Sequence, residues 1–153
     1  MAKIRATGFD ELRVLFEKLE KPEEMAKKAV NQAAPILVDA LKAEIHAAVS
    51  EEATGALEGS IEARDAEEND MGVFAVVRPE GTDSNGVDND QKLAWLEYGI
   101  WKDSDSMRGG ESRKDGKKQH LKGQNIRGRA VRRAESGCIS AMEKVIEEEV
   151  GKM

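Results

Sequence analysis

The sequence has very little cysteine: Cys138 is the only one in 153 residues. A single thiol excludes an internal disulfide and any zinc site built from several thiolates. Long apolar runs are missing as well. No stretch approaches the ~18 residues of a membrane span, and Met1 to Gly8 lacks the apolar core of a secretory signal. These absences predict a soluble, non-secreted, intracellular chain with no membrane partner. Aromatic residues make up only 4%, against 39% hydrophobic and 35% charged. The core must therefore be thin and built from Ala, Val, Leu, Ile and Met. The length suits a single domain, 1–153, that buries roughly two thirds of the surface its unfolded chain exposes.

Recognisable catalytic patterns are missing too. No Gly-x-Gly-x-x-Gly, phosphate-cradling Gly-Lys-Ser/Thr or Gly-x-Ser-x-Gly run occurs. Asp83, Asn85 and Gly86 suggest a calcium loop. Placing Gly86 at its sixth position, however, puts Gly81 at the first and Lys92 at the twelfth, where carboxylates are required. His46 and His120 belong to no two-ligand helical spacing. Cys138 falls on the apolar face of a helical pattern, where a buried, inert thiol is expected. Glu97 beside Tyr98 has no second titratable group fixed near it to make an acid–base pair. The expectation is a protein that is not an enzyme and holds no cofactor or metal.

Charge, by contrast, is abundant and uneven. The net value is -6. Acidic against basic residues number 8 and 8 over 1–50, 13 and 3 over 51–100, and 9 and 13 over 101–153. Ten basic residues lie between Arg108 and Arg133 (Arg108, Arg113, Lys114, Lys117, Lys118, Lys122, Arg127, Arg129, Arg132, Arg133), with only Glu111 and Asp115 against them. Opposite charge on two parts of one chain suits an anionic partner, or edges by which copies associate, or simply solvated loops. The basic segment could neutralise phosphates without reading sequence. No aromatic residue follows Trp101 to stack a base, so DNA contact through it would be non-specific.

Hydrophobic spacing orders the elements. Thr7 precedes Phe9, Leu12, Phe16 and Leu19, a capped amphipathic helix over about 9–20. Pro22 suits the first turn of a second helix running to about Val49, with Glu23 and Glu24 near its positive end. Pro35 inside it predicts a kink or a break. Ser60–Ala66 and Met71–Arg78 read as strands of a hairpin around a Glu67–Asp70 turn. Val73, Ala75 and Val77 point one way along the second strand, and Phe74 and Val76 the other. Pro79–Asp90 is a polar loop, and Leu93–Trp101 an aromatic segment expected to pack. Residues 102–128 hold five glycines and three apolar residues, which predicts a flexible loop. A final amphipathic helix spans about Arg129 to Val150, with Gly151 as its stop. The class is α+β: a small antiparallel sheet packed against a long N-terminal helix pair and a C-terminal helix, with a long flexible loop.

Two ordered motifs carry a resemblance. Thr54-Gly55-Ala56-Leu57-Glu58-Gly59-Ser60-Ile61 and Leu93-Ala94-Trp95-Leu96-Glu97-Tyr98-Gly99 resemble segments of the neck or tail-completion family of long-tailed double-stranded DNA phages, the head-tail joining and minor tail components. In that family a Phe-x-x-Leu opening and an Ala-rich helix lead to Thr-Gly-x-Leu-x-x-Ser-Ile. A hairpin follows, then an aromatic-Glu-aromatic-Gly segment, a variable loop and a last helix. The likeness runs from Phe9 to Val150. It departs where the family has a Pro-x-Arg-Pro-Phe-Leu-like lead into the last helix and this chain reads Asn125-Ile126-Arg127-Gly128-Arg129.

The resemblance implies a virion assembly subunit in the tail or neck, made in the bacterial host cytoplasm, whose copies form a ring in the assembled particle. Its neighbours would be tail terminator, tail tube or head connector proteins. Contact residues would be Arg108, Arg113, Lys114, Lys117, Lys118, Arg127, Arg129, Arg132 and Arg133. The motif residues Thr54, Gly55, Leu57, Ser60, Ile61, Trp95, Glu97, Tyr98 and Gly99 have structural roles to play: a corner at Gly55, core contacts from Leu57 and Ile61, buried aromatics, a reversal at Gly99, and a carboxylate accepting backbone or Arg hydrogen bonds. A stand-alone non-specific DNA-binding protein is the competing expectation.

Overall fold

Two long helices set the frame. The computed structural model describes residues 22–49, 55–102 and 119–152. The expected helix over 9–20 and Thr54 lie outside these. Helix α1 (Pro22–Ala48) opens on Pro22, whose missing N–H is not needed in a first turn, and on Glu23 and Glu24, favoured by the helix dipole. It buries Ala29, Ala33, Ala34, Ala40, Leu41 and Ile45 along one face. After a four-residue helix α2 (Ala56–Gly59), strands β1 (Ile61–Ala63), β2 (Glu67–Asn69), β3 (Gly72–Phe74) and β4 (Val77–Pro79) follow. Helix α3 (Asn89–Tyr98) comes next, then β5 (Gly99–Lys102), β6 (Gln119–Lys122) and helix α4 (Ile126–Gly151). The architecture is α+β, with short antiparallel ladders laid against long helices.

Pro35 does not break α1, which is a single helix of 27 residues. A proline here forfeits the bond to the Asn31 carbonyl, and a helix-interior proline costs ~3 kcal/mol. Both residues are on the exposed side, where water can take up the freed carbonyl. Meanwhile the buried stripe continues through Ala33, Ala34, Ala40 and Leu41, the last two in the core cluster shared with α4. Burying that stripe outweighs one lost hydrogen bond.

The hairpin forms, but with a shorter turn and a defect. β2 and β3 are joined through Asp70 and Met71, not Glu67–Asp70, with Asn69 opposite Gly72. β1 pairs β4 with Ile61 opposite Pro79 and Ala63 opposite Val77. The Arg64 amide then donates to the Val76 carbonyl at 2.9 Å. From there to the Glu67–Phe74 pair, Asp65 and Ala66 together oppose Ala75 alone, which is a β-bulge. The bulge is pinned to α1: the Ala66 amide donates to Asn31 Oδ1 at 2.8 Å, and Lys27 pairs with Glu68 at 3.4 Å. Ala75 and Val77 turn toward the helices, while Phe74 and Val76 stay largely exposed, the two-faced arrangement their alternation predicts.

Two carboxylates fix the hairpin base and the loop beyond it. Glu80 Oε1 accepts from Arg64 Nη2 at 2.8 Å and Arg78 Nε at 2.9 Å. Those bonds hold its carboxyl below the usual range and push the Arg78 guanidinium up. Asp83 Oδ1 accepts the Asn85 and Val87 amides, and Oδ2 meets Lys92 Nζ at 2.5 Å. The Lys92 ammonium thus stands where a calcium loop would need a carboxylate. Together these contacts, the Lys92 bond foremost, lower the Asp83 carboxyl from 3.8 to about 2. A depressed carboxyl stabilises the fold at pH above its unfolded value and loses that contribution as the pH falls. Asp83→Asn is therefore expected to destabilise most above pH 3.8, with the deficit closing as pH drops toward about 2. Urea midpoints measured across that range check it; a deficit independent of pH refutes it.

The core sits where α1, α4 and the base of the hairpin meet, around Ile45, Ile61, Leu93 and Ile126. Phe74, Trp95 and Tyr98 do not belong to it. The expected 102–128 loop is shorter than its glycine content suggested: Gly99 to Lys102 pairs antiparallel with Gln119 to Lys122, and α4 begins at Ile126 instead of Arg129 and runs through Gly151. Residues 103–118 are outside the described set.

Candidate functional site

The first motif is a corner. Gly55 takes φ +70°, a left-handed conformation that glycine adopts without penalty. Leu57 packs half-buried on the core and Ile61 is fully buried. Ser60 Oγ donates to the Leu57 carbonyl at 2.7 Å, closing the turn. Gly55, Leu57 and Ile61 have the positions the sequence suggests, while Ser60 closes the turn instead of opening the strand, which begins at Ile61.

The second motif is a junction built around α3. Asp88 caps the helix, its carboxylate accepting the Asp90 amide at 2.8 Å. Asn89 is buried beside it, its Nδ2 donating to the Glu80 carbonyl at 2.9 Å. Leu93 enters the core completely and Leu96 packs against its edge. At the far end Gly99, at φ +82°, turns the chain out of the helix. The returning strand then crosses the end of α3: the Gln124 amide donates to the Leu96 carbonyl at 2.8 Å, and Asn125 to that of Glu97 at 3.4 Å. Gly123 makes this crossing possible, as a Cβ there would overlap the Glu97 carbonyl oxygen and lie 2.5 Å from the Tyr98 carbonyl carbon.

Glu97 has a definite partner. Its Oε2 accepts the Arg127 backbone amide at 2.8 Å, in the first turn of α4. Asn125, which precedes that helix at φ 50°, gives it no side-chain cap. A carboxylate from α3 thus supplies both the missing acceptor and a negative charge at the positive end of the dipole.

The aromatics of the motif do not pack inward. Trp95 is 41% exposed and Tyr98 70%, contrary to their expected role as buried anchors. With Leu93 and Leu96 facing the core, residues two positions further on must face outward, and the motif displays its rings. Further apolar surface lies on the hairpin, where Met71 at the turn is 96% exposed and Phe74 37%.

The basic residues are divided. Arg108, Arg113, Lys114, Lys117 and Lys118 lie outside the described residues. Arg127 Nη2 meets Asp90 at 3.1 Å, and Arg129 and Arg133 both meet Glu44 of α1, at 2.9 and 3.4 Å. Arg132 is exposed. Three of the four arginines on α4 therefore have carboxylate partners in their own chain. The hairpin edge bearing Glu62, Asp65, Glu67, Glu68 and Asp70 faces solvent.

Cys138 Sγ lies 3.6 Å from the Ala33 carbonyl, and burial pushes its thiol up. Among the described residues no cluster of three or more His, Cys, Asp or Glu could hold a metal ion, and no helix is long and apolar enough to cross a membrane. Comparison of the chain with protein-family models, curated proteins and solved structures finds no match.

Proposed function

We propose that the chain is a structural subunit of a phage or prophage particle, a head-tail joining or tail-completion protein whose copies form a ring at the junction of tail and connector. The observation that carries this reading is the outward display of Trp95 and Tyr98 from the aromatic-Glu-aromatic-Gly motif, whose Glu97 is committed inward to α4. Rings held at the surface by a tightly tied junction suit a protein–protein contact, since Tyr and Trp are the side chains that most often dominate such interfaces. Tail terminator, tail tube or connector proteins are the partners this assigns. Non-specific DNA binding through 108–133 is less favoured because Arg127, Arg129 and Arg133 already have carboxylate partners within the chain, Asp90 for the first and a shared Glu44 for the other two.

The test is genetic and microscopic. With the coding sequence disrupted in its phage or prophage, heads and tails are expected to assemble but remain unjoined or unstable in negative-stain images. The chain itself is expected in purified intact particles. Infectious, morphologically normal particles without it would defeat the proposal.

A further inference from the structure

Apolar side chains are exposed at two places that lie far apart on the fold. One is the end of α3, where Trp95 and Tyr98 stand at the surface. Gln124 ties that end to the last turn of α1: its backbone amide donates to the Leu96 carbonyl at 2.8 Å and its Nε2 to the Ala48 carbonyl at 3.4 Å. The other is the tip of the β2–β3 hairpin, where Met71 and Phe74 are exposed. That tip is held to the first turns of α1 by the Lys27–Glu68 pair and the Ala66–Asn31 bond. Along a helix that rises ~1.5 Å per residue, Lys27 and Ala48 are ~30 Å apart. No single copy can bring its two patches together. The two places also differ in charge. Ladder β2–β3 contains Glu67, opposite Phe74, and Glu68, with Asp70 in its turn and no basic residue. Ladder β5–β6, which leads away from Tyr98, contains Lys102 and Lys122 and no carboxylate.

We propose that each patch is covered by a second copy of this chain: Trp95 and Tyr98 of one copy pack on the hairpin tip of the next, around Met71 and Phe74. Aromatic residues and Met are the side chains enriched at the centre of such contacts, and a thioether packs favourably against an aromatic ring. The Lys122 side and the acidic hairpin turn bring opposite charges to the rim, which orients the approach. Because the contact joins unlike surfaces, it is head-to-tail. Each added copy leaves one patch of either kind open, and the series ends only by closing on itself. A tail or connector protein seated on Trp95 would leave the hairpin patch bare, whereas a second copy covers both kinds with one geometry. This inference deepens the ring reading, on which it rests for closure, by naming the two surfaces that meet between neighbours.

Mixing separates this contact from any other. Sedimentation velocity of the purified full chain at rising concentration is expected to show association that continues past the dimer. Trp95→Gln with Tyr98→Ser removes one patch, and Met71→Ser with Phe74→Ser the other. Each double variant alone is expected to keep a native-like melting curve and to associate at least ~30-fold more weakly than the native chain. An equimolar mixture of the two is expected to recover native-strength association but to stop at dimers, since only one intact junction can form between them. Asp70→Lys, which leaves every apolar side chain in place, is expected to weaken association about fivefold at low salt and less at high salt. A native chain that stays monomeric, a variant that associates like the native chain, or a mixture that remains monomeric would each overturn the proposal. Purified copies that stay apart while particles still require the chain would remove this contact and leave the phage reading standing, so the two fail separately.

Discussion

Gly123→Ala is expected to lower the melting temperature by roughly 6 to 12 °C. The added methyl would overlap the Glu97 carbonyl oxygen and stand 2.7 Å from the Tyr98 Cα. These are backbone atoms of a helix end and cannot rotate away. Relief requires moving the strand that leads into α4 away from α3, which strains the Gln124–Leu96 and Asn125–Glu97 bonds and the Glu97 cap on Arg127. Overpacking of this kind costs about 3 kcal/mol, and for a domain of this size each kcal/mol shifts the melting point by ~2 to 4 °C. Gly59→Ala is the matched control. A Cβ there meets nothing within 4 Å, so alanine in α2 is expected to be neutral or slightly stabilising. Thermal melts of the two variants decide the matter: a Gly123→Ala protein within ~2 °C of the native chain contradicts the close approach.

That junction also shows why parts of the fold were legible in the sequence and parts were not. Gly55 could be read because a helix pattern stopped beside it and Leu57 and Ile61 resumed an apolar spacing, all within eight residues. Gly123 could not. The atoms that forbid its Cβ belong to Glu97 and Tyr98, more than 20 positions earlier, and inside a glycine-rich stretch it looked like one more element of a loop. Glu97 was recognised as an acceptor, whereas its partner, a backbone amide on another helix, leaves no trace in side-chain identity. The break that Pro35 suggests does not occur, because its local cost is visible in sequence and the compensating burial of Ala33, Ala34, Ala40 and Leu41 is not. The bulge at Asp65 and Ala66 arises from a one-residue mismatch between two strands that alternate correctly when each is taken alone.

The aromatics taught the opposite lesson about composition. In a chain with so few rings, Trp95 and Tyr98 were expected to anchor the core by virtue of their size. Leu93 and Leu96 took the inward positions of α3 instead, since a ten-residue helix with one buried edge has room for only a narrow stripe. Among the described residues the buried cluster holds Ala, Leu and Ile, with Val38, Val49 and Val77 packed against it, within the Ala, Val, Leu, Ile and Met set that the composition predicts. Charge followed a similar division. Glu44, with Arg129 and Arg133, and Asp90, with Arg127, tie α4 to α1 and α3. Exposed pairs of this kind contribute at most ~1 kcal/mol each, so they orient α4 more than they stabilise it.

The double variant Trp95→Gln, Tyr98→Ser is expected to fold and to fail in assembly. Tyr98 is 70% exposed and Trp95 41%, and neither belongs to the buried cluster around Leu93. The melting point is therefore expected to move by no more than ~4 °C, about 1 to 2 kcal/mol. At an interface the same two rings carry much more. A central Trp or Tyr contributes ~2 kcal/mol or more to a contact, and losing about 4 kcal/mol weakens association by roughly three orders of magnitude. Because a ring repeats the same contact at every subunit, the loss recurs around it, and infectious titre is expected to fall by at least about a thousandfold in complementation. Glu135→Lys, also at the surface of the described fold, separates this from a general effect of altering exposed residues: it changes charge without removing a ring and is expected to leave titre within about tenfold of native. A stable double variant that restores native titre would show that the displayed aromatics make no contact in the particle.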